Sequence, residues 1–320
     1  MVATLADVLA DVLADVATAA GGAGGPGQAG PTGADALTPG DLAGLRADLD
    51  AAATSAVEIG GWTPAEPLRL SKHPLRWLLT CPRRALAPDG GGDPDALAIG
   101  RIVDAAAKLA ALGSTRRIDV DAALAFVAAH GDATVADHLA ARGDAGEALR
   151  RDAAGRVARL VDAWPRVDAD WWPRVEEPVR VALAGGAVTL AGRLDVVLGG
   201  PPSTRPAVIV EIKAGGWHDA MRADAHLYAL LAGLRDGCLP AAVVTLVADG
   251  TTQVEPVRAA AVVHMAERVR AALATAASLA AGEPAEARPG AHCRPCPVRR
   301  ECPAGAAWLA ADRTGARSTT

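Results

Sequence analysis

The stretch "AVIVEIKAGGW", Ala207 to Trp217, carries the reading on which the fold turns. Val208, Ile209 and Val210 form a continuous apolar run, the mark of a strand buried on both faces. The run closes on Glu211, Ile212 and Lys213 and then two glycines. Strand side chains alternate, so Glu211 and Lys213 share one face and Ile212 takes the other.

The preceding strand contains "GRLDVVLG", which can set Asp195 beside them. Two crowded carboxylates repel, and one takes up a proton unless a cation intervenes. Asp195, Glu211 and the backbone carbonyl of Ile212 offer hard oxygens suited to Mg2+ or Mn2+. Such an ion polarises a phosphodiester, turns bound water into hydroxide and stabilises the leaving oxygen. Lys213 then orients the attacking water or offsets charge in the transition state. A Glu-x-Lys triplet also fits a surface ion pair at a strand end. Lys213 is, however, one of only three lysines, with Lys72 and Lys108, in a chain whose positive charge is otherwise arginine.

Working outward, "EPVRVALAGGAVTLAGRLDVVLGG" reads as two strands joined at Gly185-Gly186. The loop "PPSTRP" leads into the strand from Ala207 to Lys213. A helix over His218 to Leu234, a strand "AAVVTLVA", a short strand near Gln253–Val257 and a long helix from Arg258 to Ala281 complete an α/β pattern. Upstream, short helical periodicity runs through Leu75–Thr80, a longer stretch through Asp95–Leu112, and three more helical segments fall between Asp119 and Trp164. The folded body begins between Asp41 and Leu70. Before it, "LADVLADVLADV" (Leu5 to Val16) reads as an amphipathic helix and "GGAGGPGQAGPTG" as a flexible linker. The expected organisation is residues 1–40 as helix and linker, 41–170 as a helical region, 171–285 as the α/β core and 286–320 as a cysteine-rich tail.

The chain has 320 residues and a net charge of −5, so no global basic field points to nucleic acid. It shows no signal peptide, no membrane-spanning apolar run and no G-x-x-x-x-G-K-[ST] loop for ATP. These point to a cytoplasmic location, and any helicase would be a separate partner. In a reducing compartment the five cysteines favour metal ligation over disulfides. Cys293, Cys296 and Cys302 form C-x2-C-x5-C in the proline-rich tail "HCRPCPVRRECP", which needs a staple other than regular structure, and Cys81 lies far upstream in "LLTCPRRAL". Cys238 is left over, read as a buried free thiol.

"GRLDVV", "VIVEIKAG" and the helix "DAHLYALLAGL" together resemble the PD-(D/E)xK nuclease superfamily, in particular RecB-like and CRISPR-associated RecB-like exonucleases. The resemblance covers about Leu70 to Ala304. It implies a restriction-endonuclease-like core, a mixed β-sheet flanked by helices, with catalytic Asp195, Glu211 and Lys213. In that family a Gln-x-x-x-Tyr motif follows on the next helix; here Tyr228 matches the tyrosine and Asp224 replaces the glutamine. A Gly-x-x-x-His motif supplies a further metal ligand; "GRIVD" aligns Gly100 with the glycine and Asp104 with the histidine. His73 and His226 are ordinary polar residues. The cysteines resemble the iron–sulfur staple of AddB-type nucleases, implying a 4Fe–4S cluster on Cys81, Cys293, Cys296 and Cys302, with a zinc ion on the same four cysteines as the competing reading. The implied substrate is DNA, single-stranded or with frayed ends, in repair, recombination or CRISPR-type processing. Arg193, Arg222, Arg83 and Arg84 are candidate phosphate contacts, and Trp217 reads as a core residue or a base-stacking one. A nuclease-fold binding module without turnover is the alternative, favoured by Asp104, Asp224 and the acidic balance.

Overall fold

A computed structural model describes residues 37–88, 92–113, 117–164, 167, 171–200 and 207–315, with side chains to 312. The expected N-terminal helix, its linker and the "PPSTRP" loop lie outside the described residues. In chain order the elements are α1 (Pro39–Gly60), β1 (Leu68–Leu70), α2 (Lys72–Thr80), α3 (Pro82–Ala85), α4 (Pro94–Ala111), α5 (Val120–Ala129), α6 (Thr134–Ala141), α7 (Asp144–Ala163), β2 (Arg174–Leu183), β3 (Val188–Leu198), β4 (Val208–Lys213), α8 (Ala220–Asp236), β5 (Ala242–Val247), β6 (Thr252–Pro256), α9 (Ala259–Ala280) and α10 (Pro303–Gly315). The strands hydrogen-bond into a six-stranded mixed sheet, ordered β1-β3-β4-β5-β6, with β2 also paired to β3.

The chain divides into two compact units, one comprising residues 1–43, 92–179 and 192–265 and the other 44–91, 180–191 and 266–320. In the first, β3 and β4 are antiparallel, β4 and β5 are parallel through the α8 crossover, and β6 returns antiparallel. Val196 and Leu198 of β3, Val208, Val210 and Ile212 of β4, and Val244 and Leu246 of β5 pack with Ile99, Val103 and Ala107 of α4 and Leu160 of α7. Helix α8 packs on β4 and β5. Helix α4 is buried on a second stripe too: Ala98, Ile102, Ala105 and Ala106 meet Val120, Val127, Val135, Leu139 and Val157 of α5, α6 and α7. Small alanines let α4 lie between sheet and helices, and Lys108 is buried there with them at 2% exposure.

The second unit pairs β1 in parallel with the start of β3, Leu68 opposite Val188 and Leu70 opposite Leu190. The β2–β3 connection turns through Ala184, Gly185 and Gly186, all at positive φ, and the two glycines take the left-handed conformation without the penalty a side chain brings. Helix α1, unread in the sequence, begins with a reciprocal cap: Asp41 N donates to Thr38 Oγ1 at 3.2 Å and Thr38 N donates to Asp41 Oδ2 at 2.9 Å. The tail carries a 3-10 turn at Ala291–Cys293 and then α10.

Candidate active site

The apolar run of β4 ends as its sequence directs. Ile212 joins the core on the α4 side, so by alternation Glu211 and Lys213 share the opposite face. Glu211 is 2% exposed and forms an ion pair with Lys213 Nζ. The β3–β4 register pairs Val196 with Val210, and carried one residue further it sets Asp195 opposite Glu211. Asp195 Oδ2 accepts the Ile212 N–H at 2.8 Å. On the other side of β4 the buried Thr245 stands opposite Glu211.

Burial pushes the Asp195 carboxyl up to about 7, and the negative charges of Glu211 and Asp104 push the same way. Lys213 and the Ile212 N–H oppose the rise without cancelling it. Three carboxylates therefore act on one another, Glu211 buried and Asp104 and Asp195 half-buried. A divalent cation relieves this electrostatic conflict.

Asp104 reaches the site from α4 and is held by Lys108 one turn on, whose buried ammonium also pairs with Glu176 of β2. Burial raises the Asp104 pKa, with Glu176 adding to the rise and Lys108 offsetting it. For Glu176 the burial effect is outweighed by the hydrogen bond and charge of Lys108, and its pKa falls. Glu176 sits at φ 53°, a left-handed conformation costly for a residue with a side chain. Lys108 and Glu176 escaped the sequence reading. The scarcity of lysine was the one available signal for Lys108, while the pairing to Glu176 spans 68 residues of sequence.

Tyr228 is buried on α8, and its ring lies so close to β3 that a Cβ on Gly192 would meet Cε1 at 2.8 Å. Asp224, one turn earlier, is also buried.

A sequence model of the PD-(D/E)XK nuclease superfamily matches residues 69–303, well over half of the chain. The chain belongs to the PD-(D/E)XK nuclease superfamily. Superfamily members are generally hydrolases of this metal-dependent kind and typically use Mg2+ or Mn2+. Among curated proteins nothing matches the chain. Among solved structures, the crystal structure of SSO0001 aligns at 13% identity and a TM-score of 0.32 over 74% of this chain and 86% of that one.

The donor chemistry of the site fits the metal this superfamily uses. Mg2+ takes hard oxygens, commonly one or two carboxylates with water completing its shell. Asp195, Glu211 and the Ile212 carbonyl supply that type of ligand. Among the described residues no group of three or more His, Cys, Asp or Glu is gathered that could hold a metal ion. The carboxylates are instead engaged by Ile212 N–H, Lys213 and Lys108.

The candidate phosphate contacts separate. Arg193 stays near the site, 3.4 Å from Glu176 Oε2 and well exposed, whereas Arg222 pairs with Glu255. In the second unit Arg84 is buried over the Trp77 ring at 4.9 Å, and Arg83 donates to the Glu301 carbonyl at 3.2 Å. Arg84 therefore braces the protein, whereas Arg83 makes its contact at the surface. Trp217 is half-buried, His226 is half-buried and His73 is exposed.

Cys81, Cys293, Cys296 and Cys302 are all buried free thiols of the second unit. Arg83 N donates to the Glu286 carbonyl at 3.0 Å and Arg288 Nη1 to the Leu79 carbonyl at 3.0 Å, lacing the Cys81 segment to the tail. Arg288 has its pKa raised chiefly by Glu286, and Cys81 lies near enough to add to that field. A Cβ on Gly305 would stand 3.5 Å from the sulfurs of both Cys293 and Cys302, and Gly305 N donates to Cys302 Sγ at 3.4 Å. Cys293 and Cys302 thus lie together beside Gly305, but among the described residues no group of three or more cysteines is gathered that could hold a metal ion, so the expected four-cysteine set is not assembled here. Cys238 departs from expectation: it is exposed, because α8 stops at the left-handed Gly237 and the chain turns at the surface. No described helix is long and apolar enough to cross a membrane.

Proposed function

We propose that this chain is a metal-dependent deoxyribonuclease, an exonuclease of the RecB-like kind acting on single-stranded or frayed DNA ends. The observation that carries the proposal is the pairing of the half-buried Asp195 with the buried Glu211, beside Lys213, with the Asp195 pKa raised. Bound at Asp195, Glu211 and the Ile212 carbonyl, Mg2+ or Mn2+ supplies a Lewis acid and a source of hydroxide. Lys213, which pairs with Glu211 here, would hold the attacking water and offset the charge that develops on the phosphate oxygens. Asp104 is a third carboxylate facing the same field. Tyr228 and Asp224 line the adjoining helix and position the strand.

Cys81, Cys293, Cys296 and Cys302 would hold a 4Fe–4S cluster that closes the tail, or a zinc ion in its place. Iron, sulfide and zinc content of anaerobically purified protein distinguishes the two. The setting proposed is DNA repair and recombination or CRISPR-type processing, with helicase activity from a separate partner.

One observation favours a second reading, a nuclease fold kept for binding. Asp104 is already committed to a buried lysine, as a residue serving stability would be. Linear and circular single-stranded DNA, incubated with Mn2+, discriminate among these. Degradation of the linear form alone supports the exonuclease, cleavage of both indicates an endonuclease, and binding without cleavage of either supports the second reading.

A further inference from the structure

Beside Asp104 a cavity of about 220 Å3 opens within the first unit, lined by α4, α5, β2 and β3. Its walls carry two features that the catalytic carboxylates do not use. One is the only phenylalanine of the chain, Phe126, half-buried and stacked on the exposed His130 with ring centroids 4.0 Å apart and planes tilted by 29°. His130 Nδ1 donates to the Phe126 carbonyl at 2.8 Å, which fixes the imidazole over the benzene ring. The other is a pair of arginines at the rim, Arg101 and Arg193, whose side chains are 55% and 64% exposed.

We propose that this cavity seats one unpaired nucleotide of the strand being cut, its base against the Phe126–His130 stack and its phosphate at Arg193 and Arg101. The inference rests on the nuclease reading and names the form of substrate that site accepts. An aromatic pair gives any base a face to stack on, without regard to sequence. The cavity is smaller than an ordinary pocket for a drug-sized ligand, about 300–1,000 Å3, a size in keeping with a single base. Arg193 reaches Glu176 at 3.4 Å and Arg101 pairs with Asp132; exposed pairs of this kind contribute little and give way to a phosphate, which a guanidinium binds bidentately. Position supplies the link to chemistry. Asp104 and Lys108 form one wall of the cavity, and the Asp104 charge is felt at Asp195. A nucleotide seated here is therefore next to the scissile phosphate, and its base must already be free of a complementary strand.

The test measures binding of short fluorescent oligothymidylate, and of an abasic oligomer of the same length, with Ca2+ in place of the active metal. Wild type, His130→Ala, Phe126→Leu and Phe126→Trp are compared, and cleavage is followed with Mn2+. His130 is exposed, so its removal leaves the fold in place even where Phe126→Leu loosens α5. Oligothymidylate affinity is expected to fall on the order of tenfold in His130→Ala and Phe126→Leu and to persist in Phe126→Trp. KM rises more than kcat falls, and the abasic oligomer binds all four proteins alike. Equal oligothymidylate affinity in wild type and His130→Ala, or an abasic oligomer that binds wild type as tightly as oligothymidylate, overturns the proposal. Cleavage retained without the stacking pattern removes the subsite and leaves the nuclease; the stacking pattern without cleavage does the reverse.

Discussion

The carboxylate site and the cysteine region solve the problem of gathering costly groups in opposite ways. Around β4 the charges are set by strand alternation and by the register of two adjoining strands, and Lys213 and the Ile212 N–H answer them in part. The cysteines come from segments more than 200 residues apart, Cys81 and Cys293 onward, and what joins those segments is a set of backbone and arginine hydrogen bonds. The first arrangement is local, and altering it changes chemistry with little effect on the fold. The second is a long-range closure, and altering it changes the fold.

The sharpest separation comes from Glu211→Gln. Cleavage is expected to drop by about 10³-fold, since a ligand and its charge are lost, while the melting temperature holds. A large loss of stability with activity retained would merge the two regions. If the proposed thiolate-bound group closes the tail, Cys293→Ser should show the converse: loss of that iron or zinc and a melting temperature lower by on the order of 10 °C, as expected when a cross-link closing a long loop is removed. Cys238→Ser serves as the control and leaves both unchanged, because that thiol is exposed.

The third test concerns pH in metal-free protein. Asp195 in the folded chain titrates at about 7, above its ordinary 3.8. Between those values the folded state holds a proton that the unfolded chain has released, so stability is greatest below this window and declines as pH rises through it. The decline amounts to a few kcal/mol at most, roughly 1.4 kcal/mol for each pH unit of difference. Asp195→Asn abolishes it, and saturating Mg2+ reverses it in wild type. Denaturant unfolding from pH 4 to 8 checks this, and an unchanged slope in Asp195→Asn counts against the crowded-carboxylate description. The smallest effect is expected for Gly192→Ala. The added methyl meets Tyr228 at 2.8 Å, costing about 1–2 kcal/mol and displacing the ring.

The same contrast explains what was legible in the sequence. Strand alternation around "VIVEIK" and the glycines of the β2–β3 turn are local signals, and both read correctly down to the placement of Asp195 by Glu211. The α8 crossover and three helices between Asp119 and Trp164 followed from periodicity. Helix α1 was missed because its middle, "DAAATSA", is small and weakly amphipathic, although its capping pair Thr38 and Asp41 was there to be read. The Lys108–Glu176 pair was out of reach, since nothing local in "RVEEPVR" says which glutamate turns inward or that one will adopt a positive φ. Cys238 misled because cysteine is so often buried; the helix-ending Gly237 beside it was the better guide.

The central claim is that Asp195, Glu211 and Lys213 form a working metal-dependent centre. The direct measurement is Mn2+-dependent cleavage of end-labelled single-stranded DNA by wild type, Asp195→Asn and Lys213→Ala, with Mn2+ affinity recorded for each protein. The account predicts that wild type binds Mn2+ and cleaves, Asp195→Asn loses both, and Lys213→Ala binds the ion yet does not cleave. Mn2+ affinity unchanged in Asp195→Asn, or cleavage by Lys213→Ala at the wild-type rate, would contradict it.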